Sequence, residues 1–91
     1  MTNIIGRMSF TIEEVAARKG QAPTHEFWIA IHGKVYDITT FIDQHPGGAE
    51  FLVDNAGTDA TAEFDAIGHS KGAIRYLDGL CIGVLSSAPH R

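Results

Sequence analysis

One cysteine, Cys81, occurs among the 91 residues. A lone thiol excludes an internal disulfide and any Cys-x-x-Cys metal or redox motif, so histidines and carboxylates are the remaining candidate metal ligands. Within the apolar run at 80–85 this thiol reads as a small buried group in a final strand. No stretch approaches the roughly 18 apolar residues of a membrane span. Residues 1–10 lack the apolar core of about 7–15 residues that a signal peptide carries. The chain is therefore expected to be soluble and cytoplasmic. Positive charge is scarce as well. Seven Lys and Arg stand against 11 Asp and Glu, for a formal charge of −4, which argues against nucleic acid and anionic membranes and for a basic partner. There is no Ser/His/Asp or Cys/His nucleophile arrangement and no phosphate-cradling loop, since Gly47-Gly48 lacks a lysine and a strand-to-helix setting. The chain is not expected to be an enzyme.

Repeats, linkers and low-complexity segments are also missing, and the length suits a single domain spanning residues 1–91. A domain this small buries only about two thirds of its unfolded surface, and many such domains lean on a disulfide, a metal or a cofactor. Thr11 and Glu14 form a capping-box signature ahead of Ile12, Val15 and Ala16, with Gly20 as the stop. Two β-rich runs flank His32-Gly33 and predict a hairpin, although Asn or Asp would be the stronger turn partner. Short helical units follow. Thr39 or Thr40 can cap the first, which ends at His45. The second runs from Ala49 to Asn55 and closes at Gly57. Thr58 or Asp59 can cap the third, whose Ala60, Phe64 and Ile67 fall at i, i+4 and i+7 before Gly68. Ser70 can cap the fourth, which runs to Leu77 and closes at Gly79.

Two histidines occupy equivalent places in this pattern. His45 precedes Pro46 and a glycine pair, where a helix must stop and the next cannot begin. His69 follows Gly68, 24 residues on (69 − 45). A helix pair folding back on itself can turn both rings into one cavity lined by Phe41, Phe51, Leu52, Phe64 and Ile67. Such a slot suits a flat ligand with a central metal, because haem iron takes axial imidazoles from opposite faces. The plainer reading makes both histidines loop or capping residues. A zinc site would need a third ligand from Asp43, Glu50 or Asp65, none at a characteristic spacing. His25, His32 and His90 read as loop, turn and tail residues. Trp28 reads as structural.

The stretch WIAIHGKVYDITTFIDQHPGGAEFLVDNAGTDATAEFDAIGHS, residues 28–70, resembles the cytochrome b5 haem-binding domain, and the likeness runs from about residue 10 to 85. The run His-Pro-Gly-Gly, the segment KVYD before it, AGTDAT and GHS carry it, in order and at this spacing. The resemblance implies an α+β fold, with a small mixed β-sheet under two helix–loop–helix pairs that form a haem pocket. It implies non-covalent haem b with His45 and His69 as axial ligands. The implied wall is Ile31, Ile38, Phe41, Phe51, Leu52, Phe64, Ile67, Tyr76, Leu77 and Leu80, with Ser70 bonded to a propionate. With both axial positions filled by protein, the implied function is one-electron transfer between a reductase and an acceptor. The competing reading is a haem- or ligand-binding interaction module without redox duty.

The sequence also departs from the family pattern. Ala49, Ala62 and Ala66 stand where family members often carry carboxylates, leaving Asp43, Glu50 and Asp54 as the expected acidic rim for a partner with a basic docking surface. Tyr76 replaces the usual leucine or methionine. Residues 86–91 end the chain where microsomal relatives continue into a membrane anchor. A soluble monomeric form is the expectation.

Overall fold

The computed structural model describes residues 8–44, 50–68 and 71–86. Four strands form one sheet: β1 (Ser9–Phe10), β2 (Trp28–Ile31), β3 (Lys34–Asp37) and β4 (Cys81–Leu85). Their spatial order is β1-β4-β3-β2. β1 pairs with β4 in parallel, and the other pairings are antiparallel, so the sheet is mixed. Among the described residues five helices accompany it: α1 (Ile12–Ala16), α2 (Thr39–Gln44), α3 (Glu50–Asn55), α4 (Thr61–Ile67) and α5 (Lys71–Asp78). The architecture is the expected α+β arrangement.

The hairpin forms between β2 and β3, with Ile31 opposite Lys34. His32 and Gly33 have φ of 51° and 77°. Positive φ at both central residues is what a two-residue turn of the type I′ class demands. β2 is buried at all four positions because both of its faces are covered, Trp28 lying in one apolar cluster and Ile29 and Ile31 in another, and both of its edges are hydrogen-bonded as well. β3 lies on one side. On the other, Gly57 N–H donates to Trp28 O (2.7 Å), Ala30 N–H to Thr58 O (3.0 Å) and Ala60 N–H to Ala30 O (2.8 Å). Residues 57–60 thus serve as a short parallel cover on an edge that would otherwise expose unpaired backbone.

The two sheet faces carry separate apolar clusters. One holds Val15, Trp28 and Val35, with Phe10, Ile82 and Leu85 against them. In it the Trp28 ring meets Phe10 edge-on at 4.9 Å, and the Arg18 guanidinium lies 4.2 Å from its centroid, so Trp28 is structural as expected. The other holds Ile29, Ile31, Tyr36, Ile38 and Ala60. It faces the helices.

Helix boundaries follow local chemistry, with some shifts from expectation. The α1 capping box is complete: Glu14 N–H donates to Thr11 Oγ1 (3.1 Å) and Thr11 N–H to Glu14 Oε1 (2.8 Å). The helix nevertheless ends at Ala16, four residues before Gly20, and only Val15 of its apolar side is buried. Gly20, at φ 92°, serves a different purpose, because a Cβ there would collide with the Phe27 ring. Thr39 does not cap α2. Asp37 accepts from both Thr39 N–H (3.0 Å) and its hydroxyl (2.6 Å), and Thr39 Oγ1 in turn accepts from Phe27 N–H. Asp59, rather than Thr58, does the same for α4, accepting from Thr61 N–H (3.1 Å) and Oγ1 (2.7 Å). An Asp one residue ahead of the formal cap accepts two bonds from the first turn on one carboxylate oxygen, where a threonine hydroxyl makes the equivalent turn more weakly. β4 is half-buried, not buried, because it has one face against the core and Val84 toward solvent. Cys81 is likewise only half-buried.

Candidate functional site

The sheet face bearing Ile29, Ile31, Tyr36, Ile38 and Ala60 is the floor of the site. Ile31 and Ile38, both expected in the pocket, lie fully inside it, at 1% and 0% exposure. Against this floor pack Leu52 from α3, Phe64 from α4, Leu77 from α5 and Leu80 from the turn that follows. Six expected wall residues therefore come together from β2, the β3–α2 junction, two helix pairs and the turn into β4. Ile42 joins them and was absent from the expected set. Its signal was available, since it lies one helical turn beyond Ile38, to which its N–H donates (3.0 Å).

The remaining wall residues sit farther out. Phe41 of α2 and Tyr76 of α5 bring their rings to 5.4 Å at a 55° tilt, so this aromatic pair joins one helix pair to the other. Contacts of this kind add about 0.5–1.5 kcal/mol beyond area burial. Phe51 is half-buried, and Ile67 is 58% exposed. The expected stripe Ala60–Phe64–Ile67 thus runs from buried through half-buried to exposed. None of the described residues of α2, α3, α4 or α5 is buried, although these helices carry Phe41, Ile42, Phe51, Leu52, Val53, Phe64, Ile67, Ile74, Tyr76 and Leu77. Half-exposed aromatic and aliphatic side chains facing a buried apolar floor suit a large, flat, mostly apolar ligand.

His45 and His69 lie outside the described residues, as do Ser70, Ala49 and His90. Their places in the chain follow from their neighbours. In the sequence His45 lies between Gln44 of α2 and Glu50 of α3. α4 ends at Ile67 with Gly68 at φ 77°, and α5 begins at Lys71. Among the described residues no group of three or more His, Cys, Asp or Glu gathers to hold a metal ion, and Asp43, Glu50 and Asp65 form no such set.

The acidic residues expected at the rim, Asp43, Glu50 and Asp54, are exposed. Neither of the two ion pairs among the described residues involves them; these are Arg18–Glu26 (3.3 Å) and His32–Asp65 (2.8 Å). Tyr36, in the floor, is 5% exposed, and burial, with smaller contributions from Cys81 and Asp78, pushes its phenol up to about 12.

A small mixed sheet that carries two helix pairs, with half-exposed apolar side chains between them, defines a ligand-holding α+β domain. The sequence model of the cytochrome b5-like heme/steroid binding domain matches residues 11–86, and the chain belongs to the cytochrome b5 family. It is 51% identical over 80 residues to cytochrome b5 of Candida tropicalis, covering 87% of this chain and 59% of that protein. With cytochrome b5 of Rhizopus stolonifer the identity is 47%, over 87% of this chain and 58% of the relative. Among solved structures, cytochrome b558 of Ectothiorhodospira vacuolata, a prokaryotic homologue of cytochrome b5, superposes with a TM-score of 0.67 at 37% identity, covering 86% of this chain and 98% of that one. The chain spans about half to three fifths of the length of the curated relatives it matches. The family cofactor is b-type haem, held without covalent attachment. The apolar lining fits its macrocycle, and one cysteine, in β4, fits the non-covalent mode. No helix among the described residues is long and apolar enough to cross a membrane.

Proposed function

We propose that this chain is a b-type cytochrome domain that carries single electrons, with His45 and His69 as the two axial ligands of haem iron. One observation carries the reading. The four helices that precede and follow the two histidines in the sequence turn half-exposed apolar side chains over one buried floor. Bound haem supplies a one-electron couple, and with both axial positions filled by imidazole no site is open for oxygen or substrate. The side chains of the lining exclude water and hold the macrocycle; Ser70 is assigned to a propionate. The potential is set by ligand type, burial and nearby charge.

Absorption and electron paramagnetic resonance spectra test this reading. The expected result is six-coordinate low-spin iron in both oxidation states, reduced by dithionite and indifferent to carbon monoxide. His45→Ala or His69→Ala should open the site and sharply weaken haem retention. A variant with an unchanged low-spin spectrum would remove that histidine from the ligand set. The family also takes its description from steroid binding, and an apolar lining would admit a sterol. A protein that bound sterol and failed to retain haem would favour the interaction-module reading.

The partners are proposed to be a reductase and an acceptor with a basic docking surface, met by Asp43, Glu50 and Asp54 in a monomeric, soluble, cytoplasmic protein. Exposed acidic groups raise encounter rates and lose influence as salt screens them, over a Debye length of about 8 Å at physiological ionic strength. Glu50→Gln with Asp54→Asn should slow electron transfer to a basic protein acceptor at low salt and leave transfer to a small neutral oxidant unchanged. Stopped-flow oxidation across a salt series reads both rates. A basic-acceptor rate indifferent to salt and to the double substitution would reduce this surface to a solvated helix face.

A further inference from the structure

The β2–β3 turn is built around an unusual residue. Two consecutive positive φ angles favour Asn-Gly or Gly-Gly, yet this turn is His32-Gly33, with His32 at φ 51°. Histidine tolerates this conformation, though it is a less common choice than those residues, and it brings a ring that they lack. Here the residue makes contacts with α4. His32 N–H donates to Thr61 Oγ1 at 2.8 Å. Its ring Nε2 lies 2.8 Å from Asp65 Oδ1. The ring also meets Phe64 edge-on, at 6.5 Å between centroids.

These contacts matter because packing alone does not hold α4. None of its residues is buried. Its N-terminal end is anchored where Ala60 N–H donates to Ala30 O and Asp59 bridges to Ala30. A helix fixed at one end can pivot about that point. Asp65 lies in its last turn, so the His32 ring supplies a second point, and two points define the direction of the axis. Two residues beyond the last helical residue, past Gly68, the chain reaches His69.

We propose that His32 is a positioning residue, tying the β2–β3 turn to both ends of α4 and so fixing where the chain delivers His69 and the Phe64 side of the lining. This rests on the reading of His69 as a haem ligand. The pair is half-exposed, and such pairs contribute modestly, so the role is one of aim more than of global stability.

The test uses His32→Asn in the haem-loaded protein. Asn suits positive φ and is too short to reach Asp65, so it separates the turn from the tie. The expected result is an unfolding temperature of the haem-free protein equal to or above that of the haem-free parent. Haem release to excess apomyoglobin should be about two- to five-fold faster, the size a half-exposed pair supports, with faster amide exchange at residues 64–68 and shifted low-spin ferric g-values. Asp65→Asn combined with His32→Asn should add little further. His32→Gln, which restores a donor within reach, should return haem release toward the parent rate. Haem release and α4 exchange unchanged in His32→Asn would overturn the proposal, as would a rise in release that merely tracks a fall in unfolding temperature. A parent without a low-spin spectrum would overturn the His69 assignment instead, and the α4 exchange would still decide the tie.

Discussion

The sheet and the four helices above it solve the same problem to different degrees. In β2 every residue is buried and both strand edges are hydrogen-bonded, and Val15, Ile29, Val35 and Ile38 have no exposed surface. In α2 to α5 no described residue is buried, and Ile67, Ile74 and Tyr76 are each more than 40% exposed. The same chain closes one half on itself and leaves the other half to be completed. A strand hairpin can satisfy its backbone and its apolar face with its own neighbours. Helices of six to eight residues are too short to be stable by propensity, and these four spread their apolar groups around a common interior in place of packing them together. The consequence is that stability and ligand binding are housed in different halves.

The largest expected effect comes from removing the haem. A ligand bound only by the folded form stabilises it by RT ln(1 + [L]/Kd), several kcal/mol for a tight cofactor. Because the lining belongs to the helices, amides from about 40 to 78 should lose protection by an order of magnitude or more. Those of β2 to β4 should lose far less. Hydrogen exchange on haem-free protein measures this, and uniform loss across both halves would break the comparison.

Core truncation sharpens it from the other side. Ile29→Ala, at a fully buried site in the floor, should lower global stability by about 2–5 kcal/mol with or without haem. Ile67→Ala, at 58% exposure, should stay within about 0.5 kcal/mol in the haem-free protein and show its effect in haem retention. Denaturant unfolding of both variants in both states gives the four numbers, and equal costs at the two positions would contradict a division of labour.

A separate effect appears at alkaline pH. Tyr36 is held neutral by burial, with its phenol pushed up from 10.0 to about 12. Above pH 10 the unfolded chain gives up this proton and the folded one retains it, so stability is fully present below pH 10 and declines between pH 10 and 12. The loss should approach about 2–3 kcal/mol at pH 12, and Tyr36→Phe should remove that dependence. A pH-independent difference between the two proteins across this window would sink the assignment.

Much of the fold was legible because its signals are short-range. The Thr11–Glu14 capping box, the hairpin at His32-Gly33 and the glycine after Ile67 each act within four residues, and each appears where expected. Leu52 and Phe64 were read from the helix-pair pattern and Leu77 and Leu80 from likeness to a family, and the structure packs all four against the cluster that holds Ile31 and Ile38. Asp59 was one of two candidates for the start of α4 and is the one that bonds to Thr61. The bonds from Thr39 to Asp37 ahead of α2 were missed, because spacing alone does not rank an upstream carboxylate against a threonine.

Local sequence was enough to say which segments coil and which extend, and that a single thiol excludes a paired-cysteine attachment for haem. How segments far apart in the chain meet is a matter of tertiary packing. Asp59 comes to the edge of Ala30, 29 residues earlier, and the His32 ring reaches Asp65, 33 residues later. Phe41 and Tyr76 close on one another across 35 positions. Propensity and periodicity act over a turn or a strand, whereas these meetings depend on the entropy of closing long loops and on which buried faces fit together, and no local pattern records either.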